Sequence, residues 1–63
     1  MTEVLFEFRY LGSMVRVAAV DPKTNTEVIV VGAARADSEL LKNLAARKLR
    51  LALSRASQRP YQN

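Results

Sequence analysis

The hydrophobic period of this chain changes around Gly32. Before that point apolar residues recur at every second position, the spacing of strands with one buried face; from Asp37 to about Ala56 (DSELLKNLAARKLRLALSRA) they recur at helical spacing. A run of short strands followed by one long helix has few compact solutions. The natural one is a sheet with the helix laid over one face. The predicted class is α+β: a three-stranded antiparallel meander followed by one long C-terminal helix (β-β-β-α), with residues 1–57 as a single domain and 58–63 as a flexible C-terminal tail.

The first strand sets Val4, Phe6, Phe8 and Tyr10 on one face and Glu3, Leu5, Glu7 and Arg9 on the other. With Leu11-Gly12 as the turn, Phe8 pairs with Val15 and Phe6 with Val17 in a second strand, Met14–Val20, which places Glu7 opposite Arg16. Asp21-Pro22-Lys23-Thr24-Asn25-Thr26 reads as a turn, with Pro fitted to its second position and Asn25 tolerant of a left-handed backbone. The third strand, Glu27–Val31, then sets Val28 against Ala19 and Val30 against Val17. Gly32 ends it, and residues 33–36 link it to the helix.

For the helix, Asp37 or Ser38 is the expected N-cap, and Glu39 suits the positive end of the helix dipole. Leu40, Leu41, Leu44, Ala45, Leu49, Leu51, Ala52 and Leu53 spread over roughly 220° of its circumference, more than one sheet face needs. About 20 residues of helix measure ~30 Å, against about 23 Å for the strands. The last turns are expected to overhang the sheet.

Composition limits the chemistry. The chain has 63 residues, no cysteine and no histidine, so disulfides, thiolate metal sites and the commonest general base are excluded. The serines lack an activating histidine, the six carboxylates are scattered, and two isolated glycines build no phosphate loop. Lys48 falls within the apolar arc of the helix, where a snorkelling stem is the favoured reading over a nucleophile. The expectation is a protein that is not an enzyme, with no cofactor, no metal and no small-molecule substrate. No apolar run approaches the ~20 residues of a membrane span, and the acidic, alternating start is unlike a signal peptide; a cytoplasmic setting without membrane contact is expected.

Two binding readings come from the pattern. A domain this small buries a modest core, and without disulfides or metal the available reinforcement is association. The second sheet face collects Leu5, Ala18, Val20, Ile29 and Val31, with Leu5, Ala18 and Ile29 expected in one row; the third strand carries no charge inside VIVV. With Leu49 and Leu53 from the over-wide helix stripe, these residues are the candidate self-association surface of a homodimer. An exchanged helix hinged at residues 32–36 is one route to it. The alternative is a nucleic-acid-binding accessory protein. Residues 35–63 carry seven bases and two acids, and Arg47, Lys48, Arg50, Arg55 and Arg59 fall close together. Against it, bases near a helix C-terminus already complement the dipole, and the aromatic residues belong to the core face.

The stretch EVLFEFRYLGSMVRVAAVDPKTNTEVIVVG, followed by an alanine-rich linker and a Leu/Arg helix, resembles a family of short alphaproteobacterial proteins of unknown function. The shared features are the phenylalanine-bearing first strand, the DPxTxTE turn, a third strand ending in Val-Gly and one C-terminal helix. The likeness runs from about Glu3 to Ala56, with Asn25 standing where glycine is common. It implies a fold, and no activity or site residue.

Overall fold

A computed structural model describes residues 3–58. Three strands, β1 (Leu5–Leu11), β2 (Met14–Asp21) and β3 (Thr26–Ala33), form an antiparallel sheet in the order β1-β2-β3, and one helix, α1 (Ser38–Gln58), follows. This is the predicted β-β-β-α architecture. The helix runs two residues beyond the predicted end at Ala56, through Ser57 to Gln58. The rest of the tail, including Arg59, lies outside the described residues.

The β1–β2 hairpin turns on Gly12-Ser13, closed by the pair Leu11–Met14. Gly12 has φ 60°. A two-residue hairpin loop with glycine at its first central position is the arrangement favoured by strand twist, whereas a Leu11-Gly12 turn would force a leucine to positive φ. The predicted register is therefore corrected by two residues. Phe8 faces Val17, Phe6 faces Ala19 and Leu5 faces Val20. A shift of two preserves which side chains share a face, so the core stands while the cross-strand partners change. Glu7 now lies opposite Ala18, and Arg9 lies opposite Arg16.

The second turn matches its prediction. Asp21, buried at the end of β2, accepts hydrogen bonds from the Lys23 N–H (3.1 Å) and the Thr24 hydroxyl (2.9 Å), while its carbonyl accepts from the Asn25 N–H at 2.8 Å. Asn25 takes φ 60°, a conformation that Asn tolerates better than most residues. Val17 faces Val30 and Ala19 faces Val28 as expected, although β3 extends through Gly32 to Ala33 where an end at Gly32 was predicted.

The helix starts on Asp37, whose carboxylate accepts the Glu39 N–H at 2.9 Å while its carbonyl accepts from Leu41 at 3.1 Å. That is an N-cap satisfying one of the orphan donors of the first turn. Leu41, Ala45 and Leu49, spaced by four, are buried against Val15, Val17 and Ala19, with Phe6, Phe8, Val28, Val30 and Leu53 packed around them. The helix thus covers the phenylalanine face. It lies over β2 and β3, leaving β1 at its side; Lys42 reaches across to place its ammonium 5.3 Å from the Phe6 ring centroid. Residues 54–56 are exposed beyond the sheet, the predicted overhang, in a molecule of extents 45 × 22 × 16 Å.

Candidate functional site

Since α1 covers one face of the sheet, the other face has no layer over it among the described residues. Four rows cross that open face: Leu5–Val20–Glu27, Glu7–Ala18–Ile29, Arg9–Arg16–Val31 and Leu11–Met14–Ala33. Leu5 (49%), Leu11 (64%), Met14 (47%) and Val31 (58%) are exposed there, and Val20 and Ile29 are half-buried. Isolated exposed apolar side chains are ordinary; several on one uncovered face are not.

The predicted self-association residues divide on this geometry. Leu5, Val20, Ile29 and Val31 share the open face. Ala18 sits there too, but its neighbours shield it to 5% exposure, and the predicted row of Leu5, Ala18 and Ile29 is replaced by Glu7, Ala18 and Ile29. Leu49 is fully buried in the chain's own core and Leu53 packs beside it, so neither is on offer to a second surface. The surplus of the helix stripe is carried instead by Leu40, Leu44 and Leu51, all exposed; at about 100° per residue they fall within about 40° of one another. Leu11 and Met14 were missed as members of the open face. Their parity was the available signal, obscured by the misplaced turn.

The charged rim of the open face is arranged in blocks. Glu7 and Glu27 lie toward the Leu5 end, and Arg9 and Arg16 form one row. Among the described residues neither arginine side chain makes an ion pair or hydrogen bond. Two like charges directly opposite across an antiparallel pair repel.

The uncharged VIVV run of the third strand does not present a free edge along its whole length. Lys48 donates from Nζ to the Ile29 carbonyl at 2.7 Å, occupying the middle of the β3 edge with a charged side chain, a common defence against strand addition. The same bond answers the question posed by Lys48 in the apolar arc: its stem runs along the sheet edge and its ammonium is held by backbone. Of the other predicted nucleic-acid contacts, Arg47, Arg50 and Arg55 are exposed and spread over about 140° of the helix. Tyr10 is 56% exposed rather than in the core, but it lines a hollow of about 330 Å³ with Phe8, Ser38, Glu39 and Lys42 at the helix N-terminus. Tyr10 therefore stands at the helix N-terminus, whereas Arg47 and Arg50 lie at mid-helix and Arg55 in its last turn. A second hollow, of about 350 Å³, is bounded by Ser13, Met14, Ala33, Ala34 and Arg35. Among the described residues no group of three or more Asp and Glu side chains could hold a metal, and no helix is long and apolar enough to cross a membrane.

Fold and surface together define a two-layer α+β domain with one sheet face covered by its own helix and the other open. The chain belongs to the family described as Domain of unknown function (DUF6898), whose model matches residues 1–56. No curated protein and no solved structure matches it.

Proposed function

We propose that this protein is a small homodimeric interaction module without catalytic activity, and that its contact surface is the open face of the sheet. The observation that supports this reading is the set of exposed Leu5, Leu11, Met14 and Val31 on a face that no element among the described residues covers. Burying apolar area contributes roughly 25 cal/mol per Å², and a two-fold pairing of identical faces is the commonest way soluble chains realise that gain. A cytoplasmic, bacterial setting is part of this proposal, and the resemblance to short alphaproteobacterial proteins supports its bacterial half. Because α1 already seals its own sheet through a short connection, the dimer does not require helix exchange; an exchange hinged at residues 32–36 gives the same mass and leaves the open faces available. Sedimentation equilibrium over a concentration series is the test. The expected mass is twice that of the 7.0 kDa chain, lowered toward one chain by Val31→Glu; a wild-type monomer at every concentration would reject the proposal.

The second reading, a nucleic-acid-binding accessory protein, draws on Arg47, Arg50 and Arg55, exposed on the helix without a salt bridge among the described residues. It predicts salt-dependent binding to DNA or RNA that Arg47→Ala with Arg50→Ala abolishes. No binding at low salt removes it.

A further inference from the structure

The order of charges on the open face specifies how two copies meet. Consider two such faces packed against each other with a two-fold axis between them. If the axis runs parallel to the strands, β1 of one copy lies over β3 of the other, and Glu7 and Arg9 fall on Ile29 and Val31, with charges buried against apolar side chains. If the axis runs across the strands, each strand lies over its own counterpart in reverse direction, and the four rows exchange in pairs. The Leu5–Val20–Glu27 row then meets the partner's Leu11–Met14–Ala33 row, and the Glu7–Ala18–Ile29 row meets the partner's Arg9–Arg16–Val31 row.

This second arrangement is complementary nearly throughout. Leu5 meets Leu11, Val20 meets Met14, Ile29 meets Val31 and Glu7 meets Arg9. Ala18 lies over Arg16, and its small side chain leaves room for the guanidinium beside Glu7. Each Glu7 carboxylate is thereby placed between two arginines of the other copy, which resolves the like-charge opposition of Arg9 and Arg16 that no ion pair among the described residues compensates. Aligned sheets cross at about 30°, so the match is closest in the two rows flanking the axis, the ones that carry these charges.

We propose that the occupant of the open face is a second copy of this chain, seated about a two-fold axis running across the strands, with Glu7 paired to the partner's Arg9 and Arg16. The inference rests on the dimer reading above and adds its geometry. Glu7 and Arg9 are exposed, so reversing either charge spares the core, and circular dichroism melting checks that each variant folds. Glu7→Arg and Arg9→Glu, each alone, are expected to weaken self-association by about tenfold or more, the effect of like charges facing across an interface. Mixed in equal amounts, the two folded variants are expected to associate, because the heterodimer restores opposite charges at both symmetry-related contacts. Tagged chains of different mass make that species visible by native mass spectrometry.

The outcomes separate the two levels of the argument. A wild-type monomer overturns the dimer reading and this geometry with it. A wild-type dimer that both single variants leave intact, as expected for edge-to-edge pairing of β1 strands, overturns the geometry alone. Single variants that dissociate but do not recover on mixing overturn it as well, because then Glu7 does not face Arg9.

Discussion

Gly32 carries a constraint that its position in β3 does not advertise. It points to the core face, opposite Val15, and a Cβ built there would stand 2.7 Å from Cδ2 of Leu41, itself buried. The first leucine of the helix that reaches the sheet is seated where a side chain is missing. Gly32→Ala is therefore expected to destabilise the fold by about 1–3 kcal/mol, the usual cost of overpacking, measured by urea unfolding. In a Leu41→Ala background the same substitution should be neutral or stabilising, since the obstruction is gone and alanine restricts the unfolded chain more than glycine does. An equal loss in both backgrounds would show that the close approach to Leu41 is not the cause. Asn25 is a gentler case. Its φ of 60° was readable from the turn sequence because Asn is among the residues that accept that conformation, whereas the role of Gly32 needed the helix in place.

At the scale of elements, the helix shows how far periodicity reaches. Its stripe was legible as too wide for one sheet face, and the structure divides it into a half that packs and a half that does not. Leu41, Ala45 and Leu49 form the packed line, while Leu40, Leu44 and Leu51 remain exposed. The sequence makes these leucines look alike; only the direction from which the sheet approaches distinguishes them. Leu49→Ala is expected to cost about 2–5 kcal/mol, the range for a truncated buried leucine, and Leu44→Ala to stay within about 0.5 kcal/mol as an exposed position does. Comparable losses at both sites in thermal or chemical unfolding would indicate that Leu44 is covered in the assembled protein. The sheet teaches a related lesson. Alternation identified both faces correctly, but the hairpin register depended on whether Leu11 or Ser13 joins Gly12 in the turn. That choice changed the partner of Glu7 from Arg16 to Ala18.

For the whole molecule, the thin two-layer build leaves a small core of Val15, Val17, Ala19, Leu41, Ala45 and Leu49. If the open faces pair, folding and association are linked by mass action, and the melting temperature depends on protein concentration. Raising the concentration a hundredfold is expected to move the calorimetric midpoint up by several degrees, given that about 1 kcal/mol shifts a domain of this size by ~4–8 °C. A midpoint independent of concentration would mark a monomer. At any one concentration the midpoint should be lower in Glu7→Arg than in the wild type, which ties thermal stability to the contact surface proposed above.

Periodicity, turn residues and the cap signal at Asp37 were sufficient by themselves to determine the element order and the two sheet faces, because each depends on residue identity within a short window. Tertiary structure alone decided two matters. It chose which face the helix covers, and it turned Lys48 from a base on the helix into a donor guarding the Ile29 carbonyl. Both depend on contacts between residues far apart in the chain, and local pattern carries no information about which of several equally apolar or equally basic side chains a distant element will meet.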